Sequence, residues 1–193
     1  LAVVCMWFGI SVPLVYAGAY FGYRANKLDF PTKTNMIPRA IPEQEWYTSP
    51  LFSICIGGIL PFGAVFIELF FILSSIWLHQ YYYVFGFLLI LFVIPAVTCA
   101  EISIVLAYFQ LCNEDYEWWW RSFFNSASAG LYLFVYSIVY FRTQLEISEL
   151  VPTMLYYAYM GIASLAFCLV TGAVGLLSTW LFIWLIYGAV KVD

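Results

Sequence analysis

Hydrophobic and polar positions divide the chain into five long apolar runs separated by polar stretches. A transmembrane α-helix needs roughly 20 apolar residues to cross about 30 Å of hydrocarbon. The pattern therefore predicts an all-α fold, a polytopic transmembrane helix bundle with five spans. The predicted spans are residues 1–23, 51–78, 81–110, 123–141 and 152–187.

Four polar stretches complete the predicted organisation, and one of them is a short loop at residues 142–151. Residues 24–50 contain four prolines, which remove backbone donors and indicate an extended loop rather than a helix. Residues 38–44 within it either lie across neighbouring helix ends or act as a plain linker. Residues 111–122 form a second loop, and residues 188–193 form a tail.

The distribution of basic residues predicts the orientation. The loops at residues 24–50 and 111–122 and the tail fall on one side of the membrane, and Arg142 is the basic residue on the other. Because positively charged segments favour the cytosol, we expect cytosolic loops and a cytosolic tail. The basic residues on that side are Arg24, Lys27, Lys33, Arg39, Arg121 and Lys191.

Composition strengthens the membrane interpretation and excludes other classes. Hydrophobic residues make up 65% of the 193 residues and charged residues 9%, against about 25% charged in soluble domains. The net charge of −4 offers no basic surface for nucleic acid. The five cysteines lack CxxC spacing, so packed, reduced thiols are favoured over a disulfide or metal framework. The first run lacks a basic segment before it and is a poor signal peptide, so we expect a fragment whose amino-terminal part is missing.

Small residues mark places where helices can approach closely. Gly18 and Gly22 have GxxxG spacing, and residues 126–130 are all serine, alanine or glycine. The second span carries glycines around Pro61, which predicts a kink or an opening toward a neighbouring helix.

Two carboxylates lie inside apolar runs. Counting from the turn at His79, Glu68 lies roughly 16 Å deep and Glu101 roughly 30 Å deep, which argues against a direct pair. An ionisable residue in a span marks a pathway or a buried contact. A neutral, hydrogen-bonded glutamic acid, a proton or cation relay, and recognition of a client helix all remain open. His79 is either a sensor of lumenal acidity or ordinary surface.

The second loop is acidic and aromatic. Its carboxylates beside Arg121 either recruit a basic partner or pair within the loop. Trp118, Trp119 and Trp120 suit a membrane–water interface and are predicted to anchor the loop. No GxSxG, HExxH or phosphate-binding loop is present, so we predict a non-enzyme without cofactor or metal.

Several motifs closely resemble those of the nonaspanins, the transmembrane nine superfamily, and the resemblance covers essentially the whole chain. The tryptophan-containing motif is the most specific of them. The motifs are IPEQ (41–44), GGILPFG (57–63), FIEL (66–69), TCAEI (98–102), YFQL (108–111), EDYEWWWRS (114–122), LEI (145–147) and KVD (191–193).

This resemblance implies the last five spans of a nine-span protein of Golgi and endosomal membranes, whose large lumenal amino-terminal domain is expected to be absent from this chain. It implies a role in sorting and localising client membrane proteins that have glycine-rich transmembrane helices. It also implies that Lys191 and Asp193 form a KxD signal that binds the coatomer coat. The expected partners are the lipid bilayer, client helices and coatomer. The alternative hypothesis is a proton or cation transporter that uses Glu68 and Glu101.

Overall fold

A computed structural model describes the backbone of residues 2–25, 31–32, 36–77, 81–145 and 149–190. Side chains are described over the same ranges except at residues 2–3, 7, 67–77, 81–88 and 90–91. The chain divides into two compact units, residues 1–34 and 35–193.

Residues 2–24 of the first unit are helical. They comprise α1 (Ala2–Met6), a π-helical turn (Trp7–Ser11) and α2 (Val12–Arg24). The wider turn ends two residues before Pro13, which has no N–H to donate to the preceding turn. At the other end, Ala25 donates to the carbonyls of Phe21 and Gly22 (3.1 and 3.3 Å) as the backbone becomes extended.

The described residues of the second unit form four long helices. They are α3 (Pro50–Trp77), α4 (Tyr81–Cys112), α5 (Trp118–Gln144) and α6 (Leu150–Ala189), and a single 3₁₀ turn (Trp46–Thr48) precedes α3. Helix α5 packs most extensively on α6 and also contacts α3 and α4. It is therefore the element on which the other three helices of this unit converge.

The helices confirm the predicted all-α membrane fold. Four helical stretches are long and apolar enough to cross a membrane, and a fifth stretch in α3 is shorter, all within the described residues. The four are Val4–Arg24, Phe92–Cys112, Trp118–Gln144 and Leu150–Ala189; the shorter one is Pro50–Phe66.

The loop predicted over residues 111–122 is shorter in the structure. Helix α4 continues to Cys112 and α5 already begins at Trp118, so irregular backbone between them is limited to residues 113–117. The buried prolines Pro61 and Pro95 lie inside α3 and α4, and both helices continue past them. In α4 the Thr98 hydroxyl donates to the carbonyls of Ile94 and Pro95 (3.0 and 3.2 Å), next to the ring.

Candidate functional site

The centre of the second unit is a face of small and hydroxyl-bearing residues on α5. Helix α3 meets this face through two adjacent glycines. A Cβ on Gly57 would lie 2.7 Å from the Asn125 carbonyl oxygen, and a Cβ on Gly58 would lie 2.7 Å from the Ala129 nitrogen. Such distances leave no room for a side chain, so the two helices touch backbone to backbone. The α5 residues buried in this face are Ser122, Asn125, Ser126, Ala127, Ser128, Ala129 and Gly130.

Hydrogen bonds accompany this close packing of α3. The Ser53 hydroxyl donates to the Asn125 side-chain oxygen (3.2 Å), and the Ser128 hydroxyl donates to the Ile54 carbonyl (2.7 Å). Interhelical bonds of this kind typically contribute about 0.6 kcal/mol each in membrane proteins. Packing and hydrogen bonding thus act at the same contact.

Helices α4 and α6 meet the same face of α5. The hydroxyls of Ser103 and Ser126 lie 2.5 Å apart, and the Ser122 hydroxyl donates to Thr179 (2.8 Å) and to the Gly175 carbonyl (3.1 Å). A Cβ on Gly175 would lie 2.7 Å from the Ser103 hydroxyl. The predicted close packing at residues 126–130 is therefore present, and it serves three partner helices at once.

The turn between α4 and α5 contains a buried ion pair. Arg121 donates to the Asp115 carboxylate and to the Thr48 carbonyl, and the Arg121 and Asp115 side chains are 11% and 8% exposed. Asp115 also accepts a hydrogen bond from the Glu117 amide (3.0 Å). Self-pairing within this segment, one of the two interpretations left open by the sequence, is thus observed for Asp115.

The polar stretch before α3 crosses the end of α4. Gln44 donates to the Asn113 carbonyl (3.1 Å), which lies just beyond the last turn of α4. Arg39 pairs with Glu114 at 3.3 Å on the surface, where both side chains are more than half exposed. Residues 38–44 therefore lie across a helix end instead of acting as a plain linker.

A cavity of about 70 Å³ lies beside this ion pair. Thr48, Ser53, Gln110 and Arg121 supply polar atoms to its lining, together with apolar and aromatic side chains. Gln110 is 6% exposed, and neither its Nε2 nor Arg121 Nε has a hydrogen-bond partner among the described residues. A cavity of this size and polarity accommodates water.

The tryptophans occupy the first turn of α5. Trp119 and Trp120 are 44% and 65% exposed, and the Trp120 ring stacks on Phe124 with centroids 6.0 Å apart. Trp118 is half-buried. Their proposed role as interfacial anchors requires outward-facing rings, and Trp119 and Trp120 have them.

Of the two carboxylates inside apolar runs, the structure describes the side chain of Glu101 only. Glu101 is exposed on α4, and its carboxyl group has no hydrogen bond or ion pair with any described residue. Glu68 lies within α3, but its side chain is outside the described residues. Lys191, Asp193 and His79 are outside them as well.

Sequence reasoning missed several polar groups that lie where the elements meet. Gln110 and Asn125 are buried amides in otherwise apolar runs, and that contrast was a usable signal for both. The Thr48 carbonyl gave no signal, because a backbone acceptor is the same for every residue. All five cysteines are free, and no cluster of three metal-binding side chains occurs within the part of the chain that the structure describes.

The fold and the α5 face define a polytopic helical membrane protein whose helices dock through glycines and hydroxyls. The family profile described as Endomembrane protein 70 matches residues 1–150. Over its full length the chain is 62% identical to Transmembrane 9 superfamily member 9 of Arabidopsis thaliana and 54% identical to Transmembrane 9 superfamily member 4 of Homo sapiens. No solved structure matches significantly.

The chain belongs to the transmembrane 9 (Endomembrane protein 70) superfamily of integral membrane proteins, as its motifs indicated. These matches include the whole of this chain. The chain spans about 30% of the length of the curated relatives. The prediction of a non-enzyme agrees with this membership.

Proposed function

We propose that this chain is part of a Golgi and endosomal membrane protein that sorts and localises other membrane proteins, with clients recognised through glycine-rich transmembrane helices. The observation that carries this proposal is the docking chemistry of the second unit. Its helices join where a glycine on one meets backbone and hydroxyl groups on another. A client helix with glycines offers the same surface.

The open place for such a client is the outward face of α3. Ile56, Ile59, Gly63 and Phe66 recur at helical spacing along it, and the three larger side chains are 36%, 51% and 42% exposed. A Cβ on Gly63 would meet nothing within 4 Å. Gly63 therefore forms a notch in an apolar stripe, into which a second helix can settle closely.

The test places a larger side chain at Gly63 in the full-length protein. Gly63→Leu should abolish co-purification of a reporter whose single span contains repeated GxxxG motifs, and a reporter with an all-leucine span should not co-purify with either form. The matched control is Ala173→Leu, which adds similar bulk to an exposed position on α6. Equal capture by the Gly63→Leu variant would refute this docking face.

Residence in the Golgi is proposed to depend on the carboxyl-terminal KxD signal, Lys191 and Asp193, bound by coatomer in the cytosol. Deleting the last three residues should move the full-length protein to later compartments, measured by co-localisation with organelle markers. Replacing Val192 with alanine leaves both signal residues in place and is the control. Unchanged Golgi residence after the deletion would contradict the role of the tail.

A proton or cation transporter using Glu68 and Glu101 remains the alternative. It predicts flux into proteoliposomes that contain the full-length protein, lost in the Glu68→Gln, Glu101→Gln double variant. Sorting predicts no flux and intact capture in that variant. The two functions therefore differ in two independent measurements.

A further inference from the structure

The cavity beside the Asp115–Arg121 ion pair has two unused hydrogen-bond donors among its lining residues. Gln110 and Arg121 both line it, and their side chains are about nine-tenths buried. Neither Gln110 Nε2 nor Arg121 Nε has a hydrogen-bond partner in the part of the chain that the structure describes. Since a buried donor without an acceptor is costly, this site needs an acceptor atom.

The other polar groups around the cavity are already engaged. Arg121 uses its two terminal nitrogens to donate to the Asp115 carboxylate and the Thr48 carbonyl. The hydroxyls of Thr48 and Ser53, which also line the cavity, donate to other residues. The described lining residues therefore leave two donors to be paired with an oxygen from a bound molecule.

The cavity lies close to the ends of two membrane-spanning stretches. Gln110 is two residues before the end of the α4 stretch at Cys112, and Arg121 is three residues after the start of the α5 stretch at Trp118. At 1.5 Å per residue, both lie about 3–5 Å from a span end. Trp119, in the same turn of α5 as Arg121, is 44% exposed, as expected at the headgroup layer. This is the depth of the phosphate and ester oxygens of phospholipids.

Apolar and aromatic side chains form the rest of the lining. Leu106 and Phe109 of α4 contribute to it, together with Tyr47 of the 3₁₀ turn. Phe109 and Tyr47 are 53% and 45% exposed, so the cavity borders the outer surface of the second unit. Water would use only the polar part of this lining. A phospholipid offers acceptor oxygens and an acyl chain together.

We propose that this cavity binds one phospholipid, whose phosphate or ester oxygen accepts hydrogen bonds from Gln110 Nε2 and Arg121 Nε. The acyl chain runs outward past Leu106 and Phe109. The volume of about 70 Å³ is roughly that of two water molecules, so the oxygen-bearing group enters and the chain stays outside. Guanidinium groups suit phosphate, and Asp115 is not among the lining residues. The inference does not depend on the proposed sorting function.

The test adds dioleoylphosphatidylcholine to the full-length protein, purified in a maltoside detergent. Native mass spectrometry counts bound lipid, and thermal unfolding reports the stabilisation that a ligand of the folded state gives. Gln110→Leu keeps the size of the side chain and removes the donor. It should weaken lipid binding by about tenfold or more, because it removes a hydrogen bond to a charged group.

A second measurement separates a lost ligand from a damaged fold. Without added lipid, Gln110→Leu should unfold at the same temperature as the unmodified protein or at a higher one, because an apolar group replaces an unpaired donor. Leu106→Trp fills the cavity and should also lose the lipid. The matched control is Gln144→Leu, the same change at an exposed position at the other end of α5, which should bind lipid normally.

Four outcomes would overturn the proposal. Equal lipid binding by Gln110→Leu and the unmodified protein would place the lipid elsewhere. No stabilisation of the unmodified protein by lipid would leave water in the cavity. Equal stabilisation by inorganic phosphate alone would identify a free anion as the ligand. A lower unfolding temperature of Gln110→Leu without lipid would show that Gln110 is already paired within the protein.

Discussion

Gly58 and Gly63 lie on the same helix and have opposite surroundings. A Cβ at position 58 would lie 2.7 Å from backbone atoms of Ser128 and Ala129, whereas a Cβ at position 63 would meet nothing within 4 Å. The sequence marks both as small residues in an apolar run. Only the docking of α5 decides that one of them is indispensable for packing.

Gly58→Ala should therefore destabilise the protein. Overpacking against backbone costs about 1–3 kcal/mol, because main-chain atoms cannot move aside as a flexible side chain can. Gly63→Ala is the control and should change the free energy of unfolding by less than about 0.5 kcal/mol. Thermal unfolding of the purified full-length protein in detergent compares the two, and equal stabilities would contradict the backbone contact.

Two ion pairs near the α4–α5 turn each join an arginine to a carboxylate, but one pair is buried and the other is exposed. Asp115 and Arg121 are about nine-tenths buried, and Glu114 and Arg39 are mostly exposed. Asp115→Asn should cost about 3–5 kcal/mol, since it leaves a buried guanidinium without its counter-charge. Glu114→Gln should cost about 0–1 kcal/mol.

Denaturation of the full-length protein in mixed micelles measures both variants. The sequence placed four charges within eight positions, 114–121, and left open which of them pair. A loss of stability no larger for Asp115→Asn than for Glu114→Gln would show that the buried pair is not formed in solution.

At the scale of elements, α5 is where the helices of the second unit join. Its small-residue segment was recognisable from sequence because serine, alanine and glycine are enriched where membrane helices touch. The partners were not recognisable. Gly172 of α6 faces the ring of Phe123, with a would-be Cβ 2.6 Å from the ring edge, and nothing in the spacing of the two residues predicts that contact.

A double-mutant cycle tests this contact between α5 and α6. Gly172→Ala should destabilise by about 1–3 kcal/mol, since the added methyl group collides with the Phe123 ring. In a Phe123→Leu background the same change should cost less, because the ring is gone, and the coupling should reach at least about 0.5 kcal/mol. Additive effects in thermal unfolding would show that the two helices do not meet there.

At the scale of the whole molecule, orientation is the remaining prediction. The distribution of basic residues predicts that the α4–α5 turn lies in the cytosol, and Cys112 is exposed at the end of α4 beside that turn. A membrane-impermeant maleimide should therefore label a variant whose sole reactive cysteine is Cys112 from the cytosolic side. Cys99 is 0% exposed and serves as the unlabelled control. Labelling of Cys112 only from the lumenal side would reverse the topology.

The apolar runs by themselves determined that the chain is helical and embedded in a membrane. Runs this long have no other way to satisfy their backbone hydrogen bonds in lipid. The sequence motifs identified the family. Glu68 and Glu101 stood out because they are ionisable residues inside apolar runs. These properties are local, so a linear sequence carries them.

Only the tertiary structure decided which faces meet. In the structure Gly57 and Gly58 lie against α5, and Gln44 donates a hydrogen bond at the end of α4. Asp115 and Arg121 form a buried ion pair, and Glu101 is exposed on α4. Each outcome depends on the rotation of one helix relative to another. Helices α4 and α6 are apolar on nearly every side, so their hydrophobic pattern does not fix that rotation. Close packing of small residues and pairing of buried polar groups fix it instead.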